Sequence, residues 1–78
     1  MLNIRNFIND KSFQILYRDK SLNIINYDTI NYMKDNEIAI SFNRNTLIII
    51  GSDLRVKKLL ESEILIGGNI KSINFINE

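Results

Sequence analysis

The chain has 78 residues with a net charge of +1, and it contains no cysteine, histidine or proline. This length allows one domain with a small core, and a hydrophobic content of 45% is typical of a folded protein rather than a disordered one. The lack of histidine and cysteine rules out disulfides and nearly excludes the usual zinc, copper and haem sites. Interspersed basic and acidic residues argue against an electrostatic footprint for nucleic acid or anionic lipid. Because so small a domain has little stability in reserve, self-association is expected more than for a larger domain.

Residues 1–12 have the weakest structural pattern in the chain. Ile4, Phe7 and Ile8 have helical spacing that fits one or two turns of helix, and a tail with a few docked side chains fits equally well. The N-terminus lacks the apolar core of a secretory signal, and the longest apolar run, residues 47–50, is far too short to span a membrane. We therefore expect a cytoplasmic protein.

Residues 13–78 are predicted to form a single all-β domain. Short apolar and β-branched runs alternate with polar or glycine-containing turns at the regular spacing of small β proteins. This pattern predicts an antiparallel β-sandwich of about seven short strands, while a β-solenoid or a small barrel fits the same spacing. Without proline, the exposed strand edges would be protected only by lysine, arginine and asparagine.

The clearest element is a predicted hairpin over residues 36–51. Residues 38–42 alternate large apolar and small side chains, which is the period of a strand with one buried face. A second, almost wholly apolar run follows at residues 46–50. The pair Arg44-Asn45 separates the two runs, and Asn45 is the residue best able to adopt a positive φ in the turn.

The three glycines are predicted to be structural. Gly51, Gly67 and Gly68 match no phosphate-binding pattern, and we expect them to end strands where a positive φ or a close backbone approach is needed. Residues 54–60, which lie between them, fit two structures. A strand there would need a bulge near Lys58, and a helix would place its apolar residues on one stripe. Periodicity alone does not distinguish the two.

No combination of residues predicts catalysis. The paired acids, Asp35 with Glu37 and Glu61 with Glu63, lie in polar turns where water keeps them ionised. The six serines have no histidine to act as their base. We therefore predict a protein that is not an enzyme and that has no catalytic residue, cofactor or metal site.

The densest basic cluster is the candidate interaction surface. It consists of Arg44, Arg55, Lys57 and Lys58, and the nearby aromatic residues are Tyr27, Tyr32, Phe42 and Phe75. Small β-barrels bind single-stranded RNA or DNA with this combination of a charged track and stacking rings. Most of these rings fall at inward strand positions and acids border the cluster, which favours a solvated face. Nucleic-acid binding is therefore the alternative hypothesis.

A spaced set of apolar residues and glycines runs through the second half of the chain. It consists of Ile38-x-Ile-x-Phe, Asn45-x-Leu-x-Ile-x-Gly, Leu54-x-Val-x-x-Leu and Glu63-Ile-x-Ile-x-Gly-x-Ile-x-x-Ile-x-Phe. This set resembles the YabP/YqfC family of sporulation proteins of endospore-forming bacteria, and more closely its YqfC branch. Residues 22–27 resemble the strand that precedes the family's hairpin, so the resemblance covers roughly residues 13–76.

Two features depart from the family pattern. Asn45 stands where the family usually has glycine at the hairpin tip, and the leader is short and lacks a proline-containing segment. The resemblance implies a compact, sandwich-like domain made in the mother cell during spore formation, with no enzymatic activity, and it implies a strand at residues 54–60. We expect a structural or assembly protein that contacts itself or a membrane-associated protein through strand edges or apolar faces.

Overall fold

A computed structural model describes residues 12–77, and these form strands and turns only. The six strands are β1 (Gln14–Arg18), β2 (Ser21–Ile25), β3 (Thr29–Met33), β4 (Glu37–Phe42), β5 (Asn45–Leu59) and β6 (Glu63–Asn77). They form one open antiparallel sheet in the order β1-β2-β6-β5-β4-β3. The prediction of an all-β antiparallel domain is confirmed. The helix or tail predicted at residues 1–12 lies outside the described residues, except for Ser12, which precedes β1.

The two 15-residue strands, β5 and β6, connect two halves of the sheet. Residues 45–50 of β5 pair with β4, and residues 63–67 of β6 pair with β2. We call β1, β2 and residues 55–59 and 63–67 the β2 half of the sheet. The β4 half contains β3, β4 and residues 45–50 and 70–77. β5 and β6 run through both halves and so join them into one sheet.

One hydrophobic core lies between the two halves. Its fully buried large side chains are Leu22, Ile24, Ile64 and Ile66 from the β2 half and Ile38, Ile40, Leu47 and Ile49 from the β4 half. Each half presents one face to this single cluster, so the sheet folds over and packs its halves against each other, as the two sheets of a sandwich do. The predicted two-layer arrangement therefore exists, but a single continuous sheet of six strands forms it rather than two sheets of about seven.

The fold-over occurs where bulges and glycines coincide in β5 and β6. The pairing of the two strands shifts register three times between Ile50 and Lys58. A Cβ on Gly51 would lie 2.1 Å from the carbonyl oxygen of Asn69, and a Cβ on Gly68, whose φ is 119°, would lie 2.4 Å from the carbonyl oxygen of Asp53. The predicted need for close approach at these glycines is confirmed. The prediction that they end strands is wrong, because bulges let both strands bend and continue.

The predicted central hairpin is confirmed, but its turn lies one position earlier than expected. Asn43 and Arg44 take the two positive φ angles, 45° and 66°, of a two-residue turn that matches the twist of the strands. The Asn43 backbone N–H donates to Asp28 Oδ2 at 2.9 Å, which helps to hold this conformation. Asn45 is the first residue of β5 and pairs with Phe42, so the prediction that Asn45 forms the turn is wrong.

The ambiguity at residues 54–60 is resolved in favour of a strand. β5 continues through this stretch to Leu59, and its pairing with β6 shifts between Val56 and Lys58, as an interrupted alternation requires. The strand implied by the family resemblance is therefore confirmed, and the helix is excluded.

Candidate interaction surfaces

The paired acids singled out as chemical candidates have ordinary structural surroundings. Glu63 accepts a hydrogen bond from Asn23 Nδ2 at 3.0 Å on the outer face of the β2 half. Glu37 accepts one from the hydroxyl of Tyr32, while Asp35 and Glu61 are exposed. None of the four carboxylates is withdrawn from water among apolar side chains, which is the usual way to prepare a catalytic acid.

The contact between Tyr32 and Glu37 perturbs the pKa of the tyrosine. The hydrogen bond to the Glu37 carboxylate raises the pKa of the Tyr32 phenol above its ordinary value of 10.0, and partial desolvation and the carboxylate charge act in the same direction. The Lys34 ammonium lies 5.2 Å from the centre of the same ring. This cluster fixes the orientation of Tyr32 at the end of β3, next to the turn into β4.

The fold brings together three of the four residues of the predicted basic cluster. Arg55, Lys57 and Lys58 lie near one another in the part of β5 that belongs to the β2 half, but Arg44 lies in the turn before the opposite end of β5. Arg44 is therefore not part of the same surface. Two basic residues that sequence analysis did not select, Arg18 and Lys20, take its place because the β1–β2 turn lies beside this part of β5.

We call the surface formed by these five basic residues the basic groove. Its basic side chains are Arg18, Lys20, Arg55, Lys57 and Lys58, and they border two adjoining depressions of about 540 and 390 Å³. A volume of this size would suit a small ligand. All five side chains are exposed, however, so a ligand bound there would remain largely in water. The groove is better suited to a long-range charge interaction than to enclosing a substrate.

Glycine 67 explains why a lysine lies flat across the basic groove. A Cβ on Gly67 would come within 2.6 Å of Lys57 Cδ, so the lysine stem occupies the space that a larger residue would take. The Lys57 ammonium then reaches Ser21 Oγ at 3.1 Å. No sequence motif signals this contact, because residues 21 and 67 meet only through the pairing of β2 with β6.

Asn23 forms the polar floor of the groove. Its side-chain nitrogen donates to Glu63, but its Oδ1 is buried and has no hydrogen-bond partner among the described residues. A buried carbonyl oxygen without a donor is uncommon and costs stability. The residue as a whole is half-buried.

Most of the aromatic residues proposed for base stacking lie away from the basic groove. Phe42 stacks on Phe13 with ring centres 3.6 Å apart and contacts Phe75 edge-on at 6.1 Å, where the halves meet. Tyr27 donates to the Leu60 carbonyl oxygen. The aromatic ring that does border the groove is Tyr17, which is 58% exposed. Most of the rings that were proposed to stack on bases instead contact other parts of the protein.

The second surface is the open β6 edge, formed by residues 70–77. These residues pair with β5 on one side, whereas on the other side β2 accompanies β6 only as far as Gly67. No other described strand pairs with this edge. Phe75 and Ile76 are 58% and 52% exposed along it, and Lys71 is its one charged residue. Its pairing with β5 is regular from Ser72 to Asn77, a bulge lies at Lys71, and Tyr17 borders residues 70–73.

The third surface is the outer face of the β4 half. Tyr32, Ala39 and Ile48 lie across neighbouring strands in register, and Ala39 is only 1% exposed because the larger side chains cover it. Ile50 extends this apolar patch and is 37% exposed. The corresponding face of the β2 half carries the basic groove, so the two outer faces differ in character.

Metal binding and membrane crossing by a helix find no support in the described part of the chain. Between Ser12 and Asn77 no group of three or more metal-ligating side chains lies together. The same residues include no helix with the length and apolarity needed to cross a membrane.

The fold and surfaces define a class of protein: a small all-β domain whose distinctive features are grooves, faces and edges open to solvent. Within that class the chain belongs to the YabP family, which it matches over residues 9–78. The predicted family is thereby confirmed, and the closer likeness to the YqfC branch stays a prediction. No curated protein and no solved structure matches the chain.

Proposed function

We propose that this protein has a structural or assembly role in spore formation and acts through protein–protein contacts without catalysis. The observation that carries the proposal is the match to the YabP family over residues 9–78. Membership of this family is consistent with a role in sporulation. The protein would then work in the mother-cell cytoplasm, either on itself or on a membrane-associated protein.

The surfaces support contact rather than chemistry. The open β6 edge offers backbone donors and acceptors to an added strand, and the apolar patch around Ile48 offers a face for packing. The acids are exposed or hydrogen-bonded, and no histidine is available to act as a base. Such an arrangement favours an interaction domain over an enzyme.

The proposed function is tested in the bacterium that carries the gene. A reporter fused to its promoter should be silent during growth and active in the mother cell after sporulation begins. An in-frame deletion should lower the yield of heat-resistant spores, and the intact gene should restore it. Equal expression in growing and sporulating cells, together with normal spore yield in the deletion strain, would reject the role.

The basic groove favours a second candidate function, binding of single-stranded nucleic acid. Five exposed basic side chains and Tyr17 border this surface together with Asp19 and Glu63, and the excess of positive charge would attract a phosphate backbone. Replacing Arg55 and Lys57 together with alanine should then weaken oligonucleotide binding and reduce its dependence on salt concentration. Arg44→Ala is the matched control, because Arg44 lies at the other end of β5. Absence of binding at about 50 mM salt would end this candidate.

A further inference from the structure

We propose that the open β6 edge pairs with the same edge of a second copy of this chain, antiparallel and about a two-fold axis near Asn74. The inference rests on the proposed assembly function and names its partner. The two β4 halves would join into one eight-stranded sheet, with β6 next to β6 of the partner copy. Closed two-fold dimers of this kind are the commonest symmetric assemblies of soluble proteins.

The first argument is that the other described edges are protected and this one is not. β1 and β3 are only five residues long, β1 ends at Arg18, and β3 contains a register shift. The free side of β5 carries three basic residues and two bulges, and the β3–β4 turn covers part of it through a hydrogen bond from the Leu54 N–H to the Asp35 carbonyl oxygen. Short length, bulges and charge are the usual defences against unwanted strand pairing.

The open β6 edge has no bulge and no charged residue over its last six residues, and Tyr17 borders it only at residues 70–73. The register with β5 is regular from Ser72 to Asn77, and the strand has no proline. Lys71 is the only charge among residues 70–77, and it lies near one end. An edge that is long, regular and uncharged at its centre is a template for pairing.

The second argument is that the sequence of this edge complements itself in the antiparallel direction. A two-fold axis perpendicular to the sheet keeps the inner face of both copies on the same side. Each inward residue of one copy must therefore lie opposite an inward residue of the other, and each outward residue opposite an outward one. With the axis at Asn74, Ile73 faces Phe75 of the second copy on the inner side, and Ser72 faces Ile76 on the outer side. All residues from Lys71 to Asn77 then find a partner.

Charge selects the antiparallel direction and disfavours the parallel one. In the antiparallel pair, Lys71 lies at opposite ends of the interface and faces Asn77 of the second copy. A parallel pair would place the two copies of Lys71 side by side, which is unfavourable. At the centre, the two Asn74 side chains can each donate to and accept from the other.

The test uses the full chain and measures its association by sedimentation velocity at concentrations up to about 100 µM. We expect a concentration-dependent dimer. Asn74→Lys and Asn74→Glu should each weaken it by about fivefold, because each places like charges opposite each other at the axis. An equimolar mixture of the two variants should form a heterodimer at least as tight as the unaltered homodimer. A misfolded variant could not show this recovery.

Gln14→Lys is the matched control, since it adds the same charge at an exposed position on the β1 edge and should leave association unchanged. A strict monomer at all concentrations would overturn the proposal, as would a dimer that ignores both Asn74 variants. In the monomer case, amide hydrogen exchange at residues 70–77 tells whether the edge is bare or covered by another part of the chain. These measurements need no sporulating cells. The dimer can therefore be rejected while the role in sporulation is supported, and the role can be rejected while the dimer is supported.

Discussion

The two halves of the sheet have equivalent inner faces and contrasting outer faces. Each half contributes four fully buried aliphatic side chains to the common core. Outside, the β2 half carries the basic groove, whereas the β4 half carries the apolar patch and the open β6 edge. The inner faces therefore hold the fold together, whereas the outer faces are free to differ without disturbing the core. The two sets of residues can therefore be altered separately.

The largest expected effect comes from removing core side chains in either half. Leu22→Ala and Ile49→Ala should each lower the free energy of unfolding by about 2–5 kcal/mol, the usual cost of a cavity at a fully buried site. Urea denaturation followed by circular dichroism measures both. If the halves share one core, each variant should unfold in a single transition.

Leu16→Ala is the control for these variants, because Leu16 lies on the outer face of the β2 half and is 53% exposed. Its effect should stay within about 0.5 kcal/mol. Two separate transitions in either core variant would contradict a common core and would show that the halves fold independently.

The next largest effect is expected at the fold-over that connects the halves. Gly68→Ala should destabilise the protein by about 2–3 kcal/mol, because alanine is strained at φ 119° and its Cβ would overlap the Asp53 carbonyl oxygen. Thermal and urea unfolding would measure the loss. The adjacent change Asn69→Ala, at an exposed residue without a positive φ, should have little effect. Equal stability of the two variants would argue against a requirement for glycine at position 68.

A smaller effect is expected where the aromatic rings join the halves. The stacked pair Phe13 and Phe42 should show a coupling energy of about 0.5–1.5 kcal/mol in a double-mutant cycle with leucine at both positions. A second cycle that combines Phe42→Leu with Lys58→Ala should give a coupling near zero, because Lys58 lies on the outer face of the other half. A zero coupling in the first cycle would mean that the stack does not stabilise the fold.

The smallest expected effect concerns the phenol of Tyr32 at the edge of the β4 half. Glu37→Gln should lower the pKa of Tyr32, since the carboxylate that holds its proton is removed. Ultraviolet titration of the three tyrosines would follow the change, and Tyr32→Phe should abolish the shifted titration. Because the folded protein holds this proton more tightly than the unfolded chain, the contact stabilises below pH 10.0 and its contribution is lost as the pH rises further. An unchanged titration in Glu37→Gln would exclude the hydrogen bond.

Sequence patterns predicted the local structure well where side-chain period alone decides it. The alternation at residues 38–42 placed Ile38 and Ile40 in the core, and both are fully buried. The family resemblance added the strand at residues 54–60, which periodicity left open. The turn was misplaced by one residue because asparagine and arginine at positions 43–45 can each occupy it, and the pairing of β4 with β5, which sets Phe42 opposite Asn45, decides which pair does.

The surfaces were predicted less well because they depend on contacts between distant parts of the chain. Arg55, Lys57 and Lys58 were selected as a basic cluster, but Arg18 and Lys20 join them only because β1 and β2 pair beside β6. The open β6 edge was also missed. It exists because β2 ends its pairing at Gly67 while β6 continues to Asn77, and no local pattern records where a neighbouring strand stops.

By itself, the sequence determined that this chain is all-β, that residues 38–42 have one buried face, and that it resembles the YabP family. These properties follow from periodicity, from β-branched content and from spaced glycines, all of which are local along the chain. Only the tertiary structure decided that one sheet folds over to make both layers and that the glycines lie within long strands. The physical reason is that strand pairing and bulge position depend on the whole set of neighbours competing for each backbone edge, and that set exists only in the folded protein.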